Sequence, residues 1–314
     1  MANAITRPQR KNKPRVAVLV GATASGKTAV ALALAQGLGA EIVNADSLQV
    51  YRELDIGTAK PSLEERARVP HHLIDVAEPP EMYDAARFSR EGRAVLEELR
   101  RRGVPPLVVG GTGLYLKALL SGLFAEGEPA PGVRDRVRRE LGALGLPALY
   151  QRLLHLDPAT AARLHPHDTY RIIRALEVIS ATGRPLSEFI NAHRFQDAPY
   201  EVLKLGLMMD REELYRKIEL RVEVMLEQGW LDEVEGLLTR YPPTLKPLQA
   251  LGYRHLINFL SGRWSWEEAL TLLTRDTRRY AKRQFTWFGS DPEVRWFNPD
   301  QVEEMAAALG EFFG

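Results

Sequence analysis

A phosphate-binding loop near the start of the chain constrains its fold most strongly. Residues Gly21–Thr28 match the pattern G-x-x-x-x-G-K-[ST] at every fixed position. The apolar run Val16–Val20 before the loop predicts a buried strand, and the Ala- and Leu-rich segment Ala29–Leu38 after it predicts a helix. The motif requires this context, because backbone N–H groups and a helix N-terminus must converge on the anion. The sequence therefore predicts a diphosphate site with positive charge from Lys27 and, from Thr28, a hydroxyl for Mg²⁺.

Apolar runs and helical segments alternate in the first part of the chain. After the first strand, Glu41–Asn44 and Pro106–Val109 are further strand candidates, and Phe88–Arg102 is helical. This alternation predicts an α/β fold, a P-loop NTPase-like parallel sheet flanked by helices. Residues 15–125 would form the first part of this core, and residues 1–14 a basic flexible tail.

The segment 126–200 interrupts this alternation. Its start, Gly127–Gly132, is rich in glycine and proline, and the rest is helix-like with proline breaks, which predicts a helical insertion domain. The run Val202–Met209 predicts a return to the sheet, so residues 201–314 would complete the core and add a helical C-terminal region. The elements predicted there are helices at Arg211–Gln228, Leu231–Arg240, Gln249–Leu260 and Trp266–Trp287, and a strand at Val294–Phe297.

The composition excludes several classes of site. The chain has no cysteine, which excludes disulfides, thiol nucleophiles and cysteine-bound zinc. No apolar stretch is long enough to cross a bilayer, and the basic tail lacks the apolar core of a secretory signal, so we expect a cytoplasmic protein without a membrane partner. The net charge of +1 does not itself indicate a nucleic-acid partner, and the distribution of charge matters more.

A carboxylate follows the second predicted strand. The carboxyl ends of parallel strands share one edge of a sheet, so Asp46 is expected beside the phosphate loop. There it could accept a proton from a substrate or bind Mg²⁺ through water, or it could only cap a helix. Its position in the sequence does not decide between these roles.

A glycine turn follows the third predicted strand. An ATP-hydrolysing P-loop enzyme usually has an acid for magnesium at such a position, but this chain has Gly110, Gly111 and Thr112. The glycines would let another part of the backbone approach closely and Thr112 could bind a polar ligand, with tight helix–strand packing as the alternative. The adjacent His71 and His72 are predicted to be structural, because neighbouring side chains in a strand point to opposite faces.

Five basic residues mark the predicted helix Trp266–Trp287. Their spacing of three and four places them on one face of the helix. A solvated face normally mixes both signs of charge, so a one-sided face favours contact with nucleic-acid phosphates. Tyr280, Phe285 and Trp287 lie between them and would stack on bases or belong to the core. The five residues, called the basic face below, are Arg275, Arg278, Arg279, Lys282 and Arg283.

The motifs together resemble one protein family. In order and spacing they are similar to the tRNA dimethylallyltransferases, or isopentenyl-tRNA transferases, over nearly the whole chain from Arg15 onward, and the lack of cysteine resembles the bacterial form, which has no zinc module. The motifs that carry the resemblance are Gly21–Thr28, Asp46-Ser47-x-Gln49-x-Tyr51, Ile56–Pro61, His71–Asp75, Gly110–Tyr115, Arg171–Glu177, Gly252–Arg254 and Ala281–Trp287. The phosphate loop alone occurs in many families, whereas the ordered set is specific.

The resemblance implies transfer of a dimethylallyl group from dimethylallyl diphosphate to N6 of adenosine 37 in tRNA, with release of diphosphate. The loop would then hold a leaving group rather than ATP, which accounts for the missing acid after the third strand. Asp46 matches the general base of the family, and Arg221 matches an arginine near the diphosphate. Thr28 and, through water, Asp46 would hold Mg²⁺, which with Lys27 would neutralise charge as the carbon–oxygen bond breaks. The residues assigned to diphosphate binding are Gly21, Ala22, Thr23, Ala24, Ser25, Gly26, Lys27 and Thr28.

The reacting nitrogen must leave the anticodon loop, so the resemblance also implies a flipped adenosine. The helical insertion would clasp the anticodon stem, and we expect a monomer. Besides the basic face, tRNA contacts are assigned to Asp46, Ser47, Leu48, Gln49, Thr112, Arg134, Tyr170, Arg171, Ile172, Ile173, Arg174, Ala250, Leu251, Gly252, Tyr253, Arg254 and His255. Tyr170 stands where many relatives have Gln, which leaves its role open.

Three other functions fit parts of the sequence. Prenylation of a free adenine nucleotide would use the same loop, but it does not explain the insertion or the basic face. A P-loop small-molecule kinase would phosphorylate its substrate with ATP. A non-catalytic RNA-binding protein with a nucleotide-binding fold would not need Asp46 beside the Gly110–Tyr115 turn.

Overall fold

The strand β1 (Arg15–Gly21) lies inside a parallel sheet, and its side chains from Val16 onward are buried. The computed structural model describes residues 13–122, 132–193 and 199–314, and within these ranges six strands form the sheet. The other strands are β2 (Glu41–Asn44), β3 (His71–His72), β4 (Pro106–Gly110), β5 (Glu201–Leu207) and β6 (Val294–Phe297). Their order is β3-β2-β4-β1-β5-β6, and all neighbours are parallel.

Helices connect the strands, as parallel pairing requires. The helices before β5 are α1 (Lys27–Leu38), α2 (Leu63–Arg68), α3 (Ala85–Arg102), α4 (Gly113–Ser121), α5 (Val133–Leu156), α6 (Pro158–Ala161), α7 (Thr169–Thr182) and α8 (Leu186–His193). Those after it are α9 (Arg211–Glu227), α10 (Trp230–Leu238), a 3₁₀ turn at Pro247–Gln249, α11 (Tyr253–Leu260), α12 (Trp266–Gly289) and α13 (Val302–Phe313). Within α5, Gly145 has non-helical angles and separates two helical parts.

The strands predicted from the sequence are present, but several helical segments differ from the prediction, and the short helices α2 and α4 were not predicted. Helix α13 was not predicted, and it buries Met305 and Leu309 against the core that also contains α1. The helix predicted from Gln249 begins instead at Tyr253, because the chain first forms the 3₁₀ turn and then passes through Gly252 at a φ of 91°. A residue at that angle cannot continue a right-handed helix.

The chain divides into two compact units. One consists of residues 1–120 and 199–314 and contains the sheet, and the other consists of residues 121–198 and contains α5 to α8. The second unit has a core of its own, which includes Val137, Leu153 and Leu176. Residues 1–12 of the tail predicted at 1–14, and residues 127–131 of the glycine- and proline-rich start of the insertion, lie outside the described residues. No helix in the described ranges combines the length and the apolar character needed to span a bilayer.

The sheet order sets the position of the candidate site. Strand β4 lies between β2 and β1, so the three segments that follow these strands meet at one edge. These segments are the phosphate loop after β1, the Asp46 turn after β2 and the glycine turn after β4. Ligands of open α/β sheets bind outside the carboxyl ends of the strands, which is where these segments lie.

Candidate active site

The loop between β1 and α1 has the backbone shape of an anion site. Ala24 and Gly26 adopt left-handed conformations, with φ of 63° and 87°, on either side of Ser25. Left-handed residues in such loops turn backbone N–H groups toward one concave space. A left-handed alanine is strained, and strain of this kind concentrates where ligands are held. Helix α1 then begins at Lys27 without a side-chain cap or an acid in its first turn, so its N–H groups remain available for an anion.

The hydroxyl of Ser25 supports the same interpretation. The residue is fully buried, and its Oγ has no hydrogen-bond partner among the described residues. A buried hydroxyl without a partner costs about 1–3 kcal/mol. A phosphate oxygen in the loop would satisfy it, so the residues present fit the predicted diphosphate.

The ammonium of Lys27 folds back onto its own loop. Nζ donates to the carbonyl oxygens of Gly21 and Ala22 at 3.0 and 2.7 Å. Burial and, to a smaller extent, the positive charge of Arg221 lower the pKa of Lys27 to about 7, against the opposing effect of the negative charge of Asp46. A diphosphate beside this ammonium would favour its charged form and raise the pKa again.

Arg221 brings a second cation to the site from α9. Burial lowers the pKa of Arg221, with the negative charge of Asp46 acting in the opposite direction. No ion pair or hydrogen bond joins its guanidinium to the described part of the chain. One carboxylate therefore faces two cations, Lys27 and Arg221, and the resulting positive field suits a multiply charged anion.

Asp46 both shapes the turn after β2 and lines the pocket. Its Oδ1 accepts the backbone N–H groups of Leu48 and Gln49 at 2.8 and 3.4 Å. One role of the Asp46 side chain is therefore to cap a turn, whereas the sequence suggested a helix cap. The carboxylate also lines one pocket with Lys27 and Thr28. Its second oxygen, Oδ2, has no hydrogen-bond partner in the described ranges and is available to a substrate.

The glycines after β4 make both kinds of contact that the sequence left open, with another part of the backbone and with a helix. A Cβ at Gly110 would lie 2.2 Å from the carbonyl oxygen of Ala45, and one at Gly111 would lie 2.1 Å from Nε2 of Gln284. Because β4 lies between β2 and β1, a bulkier turn here would separate Asp46 from the phosphate loop. The glycines therefore have a packing role that also brings the two parts of the site together.

Thr112 and α12 complete this edge of the site. The Thr112 hydroxyl accepts the backbone N–H of Ser47 at 3.1 Å, which ties the β4 turn to the Asp46 turn. The Tyr280 hydroxyl lies near both Thr112 and Asp46, and burial followed by the charge of Asp46 raises the pKa of Tyr280. Gln284, one turn farther along α12, accepts the backbone N–H of Thr23 at 2.8 Å. Tyr280 and Gln284 thus face the site, while Trp287 is 46% exposed.

The oxygen ligands at the pocket fit Mg²⁺. The Thr28 hydroxyl and the Asp46 carboxylate line the same pocket, and hard oxygen donors are those that Mg²⁺ prefers. Within the described ranges no group of three His, Cys, Asp or Glu side chains could hold a metal. A magnesium ion here would take its other ligands from phosphate oxygens and water, which is usual for this ion.

The two histidines have different surroundings, and their structural role stays a prediction. His71 lines the pocket and its Nδ1 lies 2.7 Å from the carbonyl oxygen of Val69, whereas Nε2 of His72 lies 2.7 Å from a carboxylate oxygen of Glu41. The two imidazoles therefore have separate partners. They do not form a joint metal site.

The loop that follows the Asp46 turn is held from two sides. Gln49 Nε2 donates to the carbonyl oxygens of Thr58 and Ala59 at 3.0 and 3.2 Å. Glu233 on α10 accepts the backbone N–H groups of three consecutive residues, Asp55, Ile56 and Gly57. The C-terminal helices thus shape a loop that borders the pocket.

The segment Ala250–His255 helps to support that loop, and several of its side chains point into the protein. Tyr253 and His255 are fully buried, and the Tyr253 hydroxyl donates to Glu233 at 2.6 Å. Gly252 is buried too, where a Cβ would lie 2.4 Å from the Trp230 ring. The side-chain positions of these three residues are inaccessible, which leaves their backbone atoms for the tRNA contact predicted for them. Ala250, Leu251 and Arg254 are half-buried, and for them the assignment stays a prediction.

Three of the five residues of the basic face on α12 have acidic partners within the protein. Arg275 and Arg279 lie 3.0 and 3.6 Å from Asp276, and Arg278 forms an ion pair with Glu219 of α9. Lys282 and Arg283 are exposed and have no ion pair with any described residue. The tRNA contact assigned to all five stays a prediction, with these two as the cations most available to a partner.

In the unit of residues 121–198, two of the predicted tRNA-binding arginines share a carboxylate. Arg134 and Arg174 lie 3.5 and 3.4 Å from Glu177, which is nearly fully buried. Ile172 is 0% exposed and belongs to the core of this unit, and its assignment as a tRNA contact stays a prediction. The other assigned residues of α7 are Tyr170 at 79% exposure, the exposed Arg171, which pairs with Asp168, and the half-buried Ile173.

Comparisons with known proteins give one consistent result. The model of the IPP transferase family matches residues 49–291, and that of the isopentenyl transferases matches residues 14–74. A tRNA dimethylallyltransferase of Geobacter sulfurreducens is 48% identical over 98% of this chain and 99% of its own length. One of Syntrophobacter fumaroxidans is 52% identical over 94% of this chain and 86% of its own length. The chain belongs to the tRNA dimethylallyltransferase family.

Solved structures of the family have the same architecture. A tRNA isopentenylpyrophosphate transferase from Bacillus halodurans is 36% identical over 96% of this chain and 97% of its own, with a TM-score of 0.72. A eukaryotic dimethylallyltransferase acting on tRNA is 28% identical over 95% of this chain and 77% of its own, with a TM-score of 0.80. The P-loop NTPase-like α/β fold predicted from the sequence is confirmed.

Two residues of this tRNA dimethylallyltransferase site were not assigned from the sequence. Tyr280 and Gln284 reach the site, although the sequence analysis left Tyr280 open and gave Gln284 no role. Their spacing of four places them on one side of α12, and this spacing is the sequence signal that could have found them. It could not have named the turns that they contact.

Proposed function

We propose that the chain transfers a dimethylallyl group from dimethylallyl diphosphate to N6 of adenosine 37 in tRNA and releases diphosphate. The observation that carries this proposal is that Lys27, Thr28 and Asp46 line one pocket, with the positive charge of Arg221 acting on both Lys27 and Asp46. It combines a site for a leaving diphosphate with one carboxylate for a proton. The family's tRNA dimethylallyltransferases are named for this type of reaction.

In the proposed reaction, the N6 lone pair attacks C1 of the dimethylallyl group and the bond from C1 to the diphosphate oxygen breaks. The departing oxygen becomes more negative, and Lys27, Arg221 and the N–H groups at the start of α1 stabilise that charge. Asp46 accepts the proton released by N6 through its free Oδ2, while Oδ1 keeps the turn in place. The pocket also has apolar walls, including Ala31, Ile42 and Ile74.

Mg²⁺ is proposed as the cofactor, held by the Thr28 hydroxyl and, through water, by Asp46. When bound, it would add positive charge beside the leaving diphosphate. The acceptor would reach Asp46 as a flipped base. The exposed Lys282 and Arg283 are proposed to contact tRNA phosphates, and the helical insertion to hold the anticodon stem. As a tRNA-modifying enzyme the protein would act in the cytoplasm, and we propose a monomer.

Labelled dimethylallyl diphosphate, Mg²⁺ and unmodified tRNA test the reaction, with the label located by nuclease digestion. Asp46→Asn tests the base, because the amide oxygen can still accept the N–H groups of Leu48 and Gln49. We expect kcat to fall by about 10²–10⁴-fold, the range typical of a lost general base, and tRNA affinity to stay within about twofold.

Asp210→Asn is the matched control. Asp210 also accepts two backbone N–H groups, from Glu212 and Glu213, but it caps α9 and does not line the pocket. It should retain full activity. An Asp46→Asn enzyme with undiminished kcat would exclude Asp46 as the base.

The choice of acceptor separates the proposal from its alternatives. Label on AMP but not on an anticodon stem-loop would indicate a nucleotide prenyltransferase. Phosphorylation by ATP without prenyl transfer would indicate a kinase. RNA binding without either reaction would indicate a non-catalytic protein.

A further inference from the structure

Gln284 joins two parts of the site that the chain places far apart. Its Oε1 accepts the backbone N–H of Thr23 in the phosphate loop at 2.8 Å, and its Nε2 donates to the carbonyl oxygen of Gly111 at 3.0 Å. The side chain is 6% exposed. Both ends of the amide are therefore used, and the reverse orientation would set a donor against a donor.

Each of these contacts acts on a backbone group that matters for the site. Thr23 precedes the left-handed Ala24, so the hydrogen bond holds the loop where its strained part begins. Gly111 precedes Thr112, whose hydroxyl accepts the Ser47 N–H next to Asp46. One glutamine thus spans the distance between the diphosphate loop and the turn that carries Asp46.

Gly111, which lies against the Gln284 amide, is suited to this role. A Cβ at Gly111 would lie 2.1 Å from Nε2 and 3.3 Å from the amide carbon of Gln284, so only glycine leaves room for the amide. Without Gln284, the nearest remaining atom to that Cβ is the Gly21 carbonyl oxygen at 3.4 Å, an ordinary contact. The glycine and the glutamine therefore form a matched pair.

We propose that Gln284 is a positioning residue that holds the phosphate loop in its diphosphate-binding shape and at a fixed distance from the Asp46 turn. This proposal rests on the proposed function. Both hydrogen bonds of the Gln284 amide go to backbone groups, so it acts through the loop and not on the reacting atoms. Its loss leaves a loop whose strained conformation has one restraint fewer.

The proposal predicts a selective loss of diphosphate affinity. For Gln284→Ala we expect the Kd of inorganic diphosphate with Mg²⁺, measured by calorimetry, to rise at least about tenfold, as expected for the loss of buried hydrogen bonds. The KM for dimethylallyl diphosphate should rise in parallel, whereas kcat at saturation and the Kd for tRNA should each change by less than about threefold. A merely structural role would lower the melting temperature and weaken both ligands together.

Gly111→Ala supplies an independent test, since it displaces the amide without removing it. Alone, it should raise the diphosphate Kd as Gln284→Ala does. In the background of Gln284→Ala, adding Gly111→Ala should raise the diphosphate Kd by less than about a further twofold. The amide with which the new Cβ would clash is then absent. If the rise in diphosphate Kd in the double variant equals the product of the rises in the two single variants, the proposal is wrong.

Thr286→Ala is the control on the same helix. Thr286 is exposed, and its hydroxyl bonds only within α12, to the carbonyl oxygen of Lys282. It should leave diphosphate affinity unchanged. If wild-type protein binds diphosphate and Gln284→Ala binds it equally well, the positioning role is wrong while the proposed function stands. If wild-type protein binds no diphosphate, both are wrong.

Discussion

Diphosphate binding should be accompanied by proton uptake at Lys27. In the free protein, burial and then Arg221 lower the pKa of this ammonium to about 7, from an ordinary value of 10.5. A bound diphosphate places negative charge beside it and should return its pKa toward the ordinary value. At pH 8 about nine-tenths of the free molecules then carry a neutral Lys27, so binding should take up about 0.9 proton there. The corresponding uptake is about 0.5 proton at pH 7 and about 0.1 at pH 6.

The sign of the effect on affinity follows from the same shift. When the pKa of a group rises on binding, the ligand binds most tightly at pH values where the group is already protonated in the free protein. For Lys27 this is below pH 7. Above pH 7 the contribution of Lys27 to diphosphate affinity should fall by up to about tenfold per pH unit. An ordinary lysine would show no such loss below about pH 10.

Calorimetric titration with Mg²⁺ and inorganic diphosphate measures this uptake. The observed enthalpy is plotted against the ionisation enthalpy of several buffers at pH 6, 7 and 8, and the slope counts protons. The Lys27→Met variant measures the protons taken up by groups other than Lys27, including the ligand, and this number is subtracted. The variant should still bind diphosphate, because Arg221 and the loop N–H groups remain. Equal slopes for wild type and Lys27→Met at pH 8 would refute the reasoning.

Three further changes test other parts of the structure. Gly57→Ala should lower the free energy of unfolding by about 1–3 kcal/mol, measured by denaturant titration, because the new Cβ would lie 2.1 Å from Nε1 of the buried Trp230. Arg221→Gln should reduce the proton uptake at pH 8, because Arg221 helps to lower the pKa of Lys27, and should weaken diphosphate binding. Lys282→Ala with Arg283→Ala should reduce the slope of log tRNA affinity against log salt by about 1–2, one for each lost phosphate contact.

Matched controls separate these effects from general damage. Gly37→Ala adds a Cβ on the exposed side of α1 with no atom within 4 Å, and should stabilise the protein by about 0.5–1 kcal/mol. Arg100→Ala removes an exposed cation of α3 that pairs with Glu97, and should leave the salt slope unchanged. Unaltered stability in Gly57→Ala would contradict the packing seen here. A salt slope that Arg100→Ala lowers as much as the double change would mean that the basic face has no special role.

The candidate site was partly predictable because its motifs follow strands. The loop Gly21–Thr28, Asp46 and the Gly110–Thr112 turn each come at the end of an apolar run, and parallel strands bring such ends to one edge. The helical periodicity placed the basic face on α12 in the same local way. These predictions use only neighbours along the chain.

Burial and ion pairing depend on distant partners, and the sequence did not reveal them. Tyr253 and His255 stand in a polar motif, yet Tyr253 is buried against Glu233 and His255 lies 3.3 Å from Asp276. Arg278 of the basic face likewise forms an ion pair with Glu219 of α9, which the helical spacing did not reveal. Helical spacing assigns a residue to a side of a helix but does not say what covers that side.

The sequence by itself determined the α/β class, the diphosphate loop and the resemblance to the family, because each depends on short, ordered patterns of residue types. Only the tertiary structure decided that β4 separates β2 from β1, that Arg221 lies close enough to Asp46 for their charges to interact, and that Gln284 joins the site. Gln284 lies 261 residues from Thr23 and 173 residues from Gly111. Contacts at such separations form only when the whole core packs, and no local pattern specifies them.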